Sequence, residues 1–140
     1  TAWDAAPARM RDLPARAARA GVRITVAEPA GPAGLFDLVV TDVPCSGSGT
    51  WRRTPDAKWR LSPGDLAQLT RTQAGILARA ATHVRPGGTL AYMTCSLLAR
   101  ENEEQVARFV AQHPGFRPQE AVTWTPLTAS DGFFLAKLAR

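Results

Sequence analysis

Residues Phe36 to Thr50 read FDLVVTDVPCSGSGT and carry the strongest signal for the fold class. Its first part, Phe36 to Thr41, has the continuous apolar centre Leu38-Val39-Val40, which is typical of a central parallel strand buried on both faces. The run ends at a loop rich in Gly and Ser that contains Cys45. This arrangement predicts an open α/β sheet with a site at the carboxyl end of the strand.

A second stretch, Thr89 to Leu97, reads TLAYMTCSL and repeats this pattern, because an apolar run again ends in a cysteine. The two cysteines concerned, Cys45 and Cys95, are the only ones in the chain. If Leu90 to Thr94 and Phe36 to Thr41 are neighbouring parallel strands, both thiols lie beyond carboxyl ends of one sheet, where α/β proteins bind their ligands. The sequence therefore predicts that the two cysteines share an active site.

Length and composition fit one compact domain. The chain has 140 residues, with 17 Lys and Arg against 12 Asp and Glu, and this balance of +5 suits a polyanionic partner. Two cysteines without a CxxC pair are typical of neither a disulfide scaffold nor a metal site, so we expect reduced thiols and no metal. No apolar run approaches the ~18 residues of a membrane span. We expect a soluble, cytoplasmic monomer without a membrane partner.

The amino-terminal part of the chain predicts one helix and one strand. Ala5 to Ala20 is rich in Ala and Arg and reads as a helix, which Pro14 could kink and Gly21 ends. Val22 to Ala27 alternates apolar and polar residues, several of them β-branched, and therefore reads as a strand. A loop rich in Pro and Gly follows it.

The rest of the chain predicts two more helices and a final strand. Ser62 is an expected N-cap, with an apolar stripe from Leu66 to Val84 and a stop at Pro86-Gly87-Gly88. Glu101 to His113 reads as a helix whose core face carries three apolar residues, Val106, Phe109 and Val110. Phe133 to Leu138 reads as the last strand, with Val122 to Trp124 as its hairpin partner.

Both cysteine motifs carry a family resemblance. Asp42-Val43-Pro44-Cys45-Ser46-Gly47-Ser48-Gly49 and Thr94-Cys95-Ser96-Leu97 resemble those of the RsmB/Sun (NOL/NOP/Sun) family of S-adenosylmethionine-dependent RNA cytosine-5 methyltransferases. Further similar segments are Arg52-Arg53, Pro55-Asp56-Ala57-Lys58-Trp59, Gln73, Pro86-Gly87-Gly88, Glu101-Asn102-Glu103 and Asp131-Gly132-Phe133-Phe134. The resemblance implies a Rossmann-like class I methyltransferase sheet, mostly parallel with an antiparallel last strand.

The resemblance also implies roles for individual residues. Cys95 would add to C6 of cytosine, because C5 accepts a methyl group only after a thiolate has made it enamine-like. Asp42 would bond the base and stabilise the developing charge, and Cys45 would assist release of the methylated base. Contacts to S-adenosylmethionine are implied for Asp4, at the ribose hydroxyls, and for Asp42 and Pro44. An N-cap role is the alternative for Asp4.

The segment after Cys45 interleaves cations with aromatic residues. Its cations are Arg52, Arg53, Lys58 and Arg60, and they lie among Trp51 and Trp59. Such a pattern suits phosphates and stacked bases, although tryptophans packed under a loop would give the same pattern. We expect these four cations to contact RNA, and the resemblance implies ribosomal RNA.

The chain departs from the family pattern at its amino-terminal side. Methyltransferases of this fold hold their cofactor with a glycine-rich loop after the first strand, and no such element precedes Asp4. We therefore interpret residues 1–140 as the carboxyl-terminal portion of a catalytic domain, without the first strand and that loop. Two other functions stay open: a non-catalytic RNA-binding module, and a thiol redox protein that uses Cys45 and Cys95 as a pair.

Overall fold

A computed structural model describes residues 1–128 and 131–140, which form two compact units, residues 1–34 and residues 35–140. The smaller unit contains a 3-10 turn (Pro7–Met10) and one short helix, α1 (Leu13–Arg19). The single helix predicted over residues 5–20 is therefore wrong, and Pro14 does not kink a helix. Pro14 instead lies in the first turn of α1, where its missing N–H costs nothing.

The carboxyl end of α1 matches its prediction. Gly21 adopts a left-handed conformation with φ 67°. Its N–H donates to the carbonyl of Ala18 at 3.1 Å, and the N–H of Val22 donates to that of Ala17 at 3.0 Å. These two bonds form a Schellman motif, which glycine closes without a steric penalty.

The strand predicted over Val22 to Ala27 is not formed. One isolated parallel bridge joins Ala2 to Val26, in which the Ala2 N–H donates to Thr25 and the Ala27 N–H donates to Ala2. The side chains of Val22 and Ile24 are half exposed or nearly so. Alternation of apolar and polar residues alone does not make a strand, because the backbone N–H and C=O groups of a strand need hydrogen-bond partners on a neighbouring strand. Here, among the described residues, Ala2 is the one that pairs with the segment.

The larger unit is a four-stranded sheet with helices. Its strands are β1 (Phe36–Asp42), β2 (Val84–Thr94), β3 (Arg117–Trp124) and β4 (Phe133–Ala139). Its helices are α2 (Ala57–Arg60), α3 (Pro63–Ala81) and α4 (Glu103–Gln112), with 3-10 turns at Ser48–Thr50 and Ala99–Glu101. In the part of the chain that the structure describes, no helix combines the length and apolarity needed to cross a membrane.

The strand order is β1-β2-β4-β3. β1 and β2 are parallel neighbours, and β4 is antiparallel to both β2 and β3. Three of the four strands therefore run in one direction and the last strand opposes them, which confirms the predicted sheet. The hairpin of β3 and β4 is confirmed as well, and β3 begins at Arg117, earlier than predicted.

Two predictions about the strands are wrong. In the sheet formed by residues 1–140, β1 is an edge strand, and Leu38 and Val40 are 56% and 54% exposed, so within these residues β1 is not buried on both faces. β2 begins at Val84 instead of Leu90, and α3 already ends at Ala81. The register between β1 and β2 shifts where residues 86–88 lie, so the Pro-Gly-Gly segment is an irregularity within a strand and not a helix stop.

The core lies between the sheet and α3 and α4. It includes Leu77, Tyr92 and Phe134, each at most 2% exposed. The predicted face of α4 is confirmed, because Phe109 is buried and its two valine neighbours pack against the core. Ser62 caps α3 as predicted: it accepts from the Asp65 N–H at 3.1 Å, and Asp65 accepts from the Ser62 N–H in return.

Candidate active site

The parallel pairing of β1 and β2 brings the two cysteines together. Asp42 is opposite Met93 in the register, so the loops that follow the two strands start side by side. The Sγ atoms of Cys45 and Cys95 are 3.3 Å apart, and both thiols are free. This separation is a hydrogen-bonding contact, well beyond the ~2.05 Å of a disulfide bond. The predicted juxtaposition of the cysteines is confirmed.

The contact between the sulfur atoms separates their acidities. Hydrogen bonding from Cys45 lowers the pKa of Cys95 to about 7, although burial and the negative charges of Asp42 and Glu101 oppose this change. The same contact, together with burial, raises the pKa of Cys45 above its usual range. The pair therefore loses its first proton from Cys95. Since the thiolate is the nucleophilic form of cysteine, this difference in acidity favours Cys95 over Cys45 as a nucleophile.

Asp42 and Pro44 lie on either side of Val43 at the start of the Cys45 loop. Val43 is buried and its N–H donates to the Met93 carbonyl at 3.2 Å, whereas Asp42 and Pro44 are exposed. Asp42 therefore ends β1 at the same end of the sheet as the thiols, with its carboxylate accessible. The Pro44 carbonyl accepts a hydrogen bond from Gln73 Nε2 at 3.0 Å.

Asp4 belongs to the smaller unit and does not cap a helix, so the N-cap alternative is wrong. The first turn of that unit starts after Ala6, whose N–H donates to Asp4 Oδ1 at 2.7 Å. Asp4 also lines a cavity of about 280 Å³, with walls of Trp3, Pro7, Met10, Arg11, Pro14, Val26, Ala27 and Pro29. The cavity is mainly apolar and has one carboxylate, which is accessible in part.

The sequence analysis missed the residue that joins the two cysteine loops. Glu101 is fully buried and accepts four hydrogen bonds. Its donors are the Ser46 N–H, the Ser46 hydroxyl, the Ser96 hydroxyl and Gln73 Nε2. Ser46 and Ser96 each follow a cysteine directly, so one carboxylate binds the residue next to each thiol.

Further bonds hold the same loops. Ser48 Oγ accepts from the Leu97 N–H at 2.8 Å, and the Gly49 N–H donates to the Cys95 carbonyl at 3.0 Å. The Gly132 N–H then donates to the Gly49 carbonyl at 2.8 Å. A Cβ on Gly49 would lie 2.2 Å from the Gly132 oxygen, so the two backbones meet at a distance that only glycine permits.

The four cations predicted to bind RNA lie close together in sequence but have different partners. Arg52 and Arg53 both pair with Asp131, at 3.1 and 2.9 Å, and Asp131 is only 6% exposed. Arg60 pairs with Asp56 at 3.0 Å on the surface. Lys58 Nζ lies 4.6 Å from the ring centre of Trp59, which is 80% exposed.

Sequence signals for the missed residues are present but weak. Gln73 is the polar member of the apolar stripe of α3, and it is fully buried. Glu101 matches the family pattern, but the resemblance implies no role for it. Its burial, which requires several hydrogen-bond donors, is visible only in the structure. Within residues 1–128 and 131–140, no three His, Cys, Asp or Glu side chains form a group that could hold a metal ion.

Comparison with known proteins agrees with this geometry. The family model for the 16S rRNA methyltransferase RsmB/F matches residues 1–139. The chain belongs to this family. It is 43% identical over 114 residues to ribosomal RNA small subunit methyltransferase B of Sodalis glossinidius, and 39% identical over 127 residues to the probable enzyme of that name in Synechocystis. These matches cover 76% and 78% of this chain, but only 26% and 28% of the relatives.

Solved structures confirm the Rossmann-like methyltransferase fold. The crystal structure of PH0851 superposes with a TM-score of 0.88 at 30% identity and covers 99% of this chain and 36% of that one. NSun6 from Pyrococcus horikoshii, solved with SFG, superposes with a TM-score of 0.82 at 23% identity and covers 98% of this chain and 40% of that one. This chain therefore spans about a quarter to two fifths of the proteins that it resembles.

Proposed function

We propose that this chain is the thiol-bearing portion of a longer RNA cytosine-5 methyltransferase that acts on ribosomal RNA. The observation that carries the proposal is the 3.3 Å contact between Cys45 and Cys95 at the carboxyl ends of two parallel strands. A second thiol that donates a hydrogen bond keeps Cys95 in its nucleophilic form near neutral pH. The chain spans only 26% and 36% of two proteins that it resembles, which supports the interpretation of residues 1–140 as a portion of a longer protein.

In this proposal Cys95 begins the reaction. Its thiolate adds to C6 of the target cytosine, so that an S–C6 bond forms and electron density moves to C5. Asp42 is exposed at the same end of the sheet and hydrogen-bonds the base, which stabilises the charge that develops during addition. After methylation a base removes the proton from C5, the S–C6 bond breaks and Cys95 leaves as a thiolate.

Cys45 acts in the release step. It retains its proton when Cys95 is ionised, because hydrogen bonding to Cys95 and burial raise its pKa. It therefore sits beside the departing sulfur as a donor, and its S–H stabilises the thiolate that is regenerated. Loss of this donor slows elimination more than addition.

S-adenosylmethionine is the cofactor that we propose. The cavity beside Asp4 fits the adenosyl portion, because its aromatic and apolar walls suit a purine and its one accessible carboxylate can accept from ribose hydroxyls. Asp4, Asp42 and Pro44 are the residues of this chain that would hold the cofactor. When bound, the cofactor supplies an electrophilic methyl group on a sulfonium.

The test uses the full-length protein and RNA that carries 5-fluorocytosine, which has no C5 proton to lose. Wild type should form an RNA–protein complex that resists denaturant, and Cys95→Ala should form none. With unmodified RNA, Cys45→Ala should accumulate a covalent species that disappears in the double variant with Cys95→Ala. A complex that survives in Cys95→Ala would contradict the assignment of the nucleophile. Salt-dependent RNA binding without a covalent complex would favour the non-catalytic RNA-binding module.

A further inference from the structure

Glu101 is a buried acid whose four hydrogen-bond donors are all neutral groups. It ends the 3-10 turn Ala99–Glu101, which follows the Cys95 loop. Removing a carboxylate from water is costly unless hydrogen bonds replace the lost hydration. The fold buries this acid and directs four donors at it, although Glu101 has no role in the proposed reaction.

The two carboxylate oxygens bind different groups. Oε1 accepts from the Ser46 N–H at 2.9 Å and from Gln73 Nε2 at 3.0 Å. Oε2 accepts from the hydroxyls of Ser46 and Ser96, both at 2.5 Å. Because Ser46 follows Cys45 and Ser96 follows Cys95, Oε2 bridges the two loops one residue away from each thiol.

The bridge is attached to two helices. Gln73 of α3 donates through Nε2 both to Glu101 and to the carbonyl of Pro44, the residue before Cys45. Its Oε1 accepts from Gln105 of α4 at 3.1 Å. The Cys45 loop is therefore held on both sides of its thiol, and the network ends in residues whose positions the core fixes.

We propose that Glu101 is a positioning residue that sets the distance between the sulfur atoms of Cys45 and Cys95. The proposal rests on the proposed function, in which these thiols are the nucleophile and its hydrogen-bond donor. Both cysteines lie on loops, where backbone positions are less restrained than in strands. A lengthening of the sulfur–sulfur distance by roughly 1 Å would take the two atoms out of hydrogen-bonding range and return Cys95 to an ordinary thiol.

The sulfur separation can be measured without RNA or cofactor. Phenylarsine oxide bridges two nearby thiols: two S–H bonds and the As–O bond break, two As–S bonds form and one water leaves. We would measure the rate of bridging by intact mass in the full-length protein, together with the pH midpoint of Cys95 alkylation. Circular dichroism shows whether each variant is folded.

Three variants test the role of the carboxylate. In Glu101→Ala, bridging should slow by about tenfold or more, because charge-assisted bonds of this kind restrain strongly. The alkylation midpoint should rise, because the hydrogen bond from Cys45 lowers the pKa of Cys95 more than the charge of Glu101 raises it. In Glu101→Gln, the amide oxygen still accepts on one side and the NH₂ group can donate to the two hydroxyls, so bridging should stay within about threefold. Glu104→Ala removes an exposed acid of the neighbouring helix α4 and is the matched control, with no change expected.

Bridging at the wild-type rate in a folded Glu101→Ala protein would overturn the proposal. Where that variant does not fold, the double variant Ser46→Ala with Ser96→Ala decides, since it removes both donors to Oε2 and leaves the acid in place. It should slow bridging by at least about threefold, and an unchanged rate would contradict the positioning role. Methylation assayed in parallel separates the two proposals. If bridging slows in Glu101→Ala but the wild-type protein does not methylate RNA, the positioning role stands and the proposed function is wrong. If Glu101→Ala bridges at the wild-type rate and the wild-type protein methylates RNA, the positioning role is wrong and the proposed function stands.

Discussion

Two polar regions follow β1, and they hold their side chains in opposite ways. From Ser46 to Gly49 the residues are buried or half-buried, and their hydrogen bonds converge on Glu101 and the Cys95 loop. From Arg52 to Arg60 the side chains of the cations are mostly exposed. Arg52 and Arg53 share the buried Asp131, whereas the partners of Arg60 and Lys58, a carboxylate and an aromatic ring, are exposed themselves. A nucleophile that depends on one distance needs converging bonds, whereas a surface that meets a flexible polymer can use adaptable cations.

The largest expected effect is a steric one in the first region. Gly49→Ala would place a methyl group 2.2 Å from the Gly132 oxygen, so the backbone must move and stability should fall by about 2–3 kcal/mol. Gly75→Ala is the matched control, because Gly75 is exposed on α3 with no atom in the way, and there a gain of about 0.5–1 kcal/mol is expected. Denaturant unfolding measures both. Equal stability of the two variants would show that the first region is not rigidly held.

The second prediction concerns the acidity of Cys95. Its rate of alkylation by iodoacetamide should rise with pH to a midpoint at about 7. The hydrogen bond from Cys45 stabilises the thiolate, so its removal in Cys45→Ala makes Cys95 hold its proton more strongly and moves the midpoint upward, toward ~8.5. At pH 7 the alkylation rate should then fall by roughly tenfold.

Cys45→Ser is the control for this prediction. A hydroxyl can still donate to the thiolate, so its midpoint should lie between those of wild type and Cys45→Ala. If the midpoint is unchanged in Cys45→Ala, the contact between the sulfur atoms does not set the acidity of Cys95. The rigid geometry of the first region would then not explain the reactivity of the thiol.

The sequence predicts what depends on local pattern. Apolar runs locate β1, β4 and the end of β2, the N-cap signal locates Ser62, and the cysteine motifs place the two thiols together. The strand predicted over residues 22–27 fails because a strand depends on its partner, which periodicity does not show.

The centre of the candidate site is missed for a different physical reason. Glu101 reads as an ordinary surface acid near a helix start, and its burial is stable only because donors from two loops and α3 meet it. That convergence is a tertiary property, and no single segment encodes it. Asp131 is similar, since its two arginine partners lie 79 and 78 residues earlier in the chain, at Arg52 and Arg53.

The third prediction tests the exposed region as an RNA surface in the full-length protein. Arg52→Ala with Arg53→Ala should weaken RNA binding several-fold and lower the slope of log K against log salt by about one for each phosphate that the protein no longer neutralises. Arg85→Ala is the matched control, because Arg85 is an exposed, paired arginine near the amino end of β2, away from the thiols. An unchanged slope in the double variant would show that Arg52 and Arg53 do not contact RNA phosphates.

The smallest expected effect concerns the Arg60–Asp56 pair, which has good geometry at 3.0 Å but side chains that are 73% and 65% exposed. Water and salt screen such a pair, so a double-mutant cycle with Arg60→Ala and Asp56→Ala should give a coupling free energy below ~0.5 kcal/mol. RNA affinity should nevertheless fall in Arg60→Ala, because the positive charge of Arg60 attracts a phosphate whether or not Arg60 is strongly coupled to Asp56. The coupling free energy should therefore be small while the RNA affinity changes. In the first region, by contrast, loss of Glu101 should change both the sulfur–sulfur distance and the reactivity of Cys95. A coupling above ~1 kcal/mol would mean that Arg60 is held in place, and the contrast between a rigid site and an adaptable surface would not extend to α2.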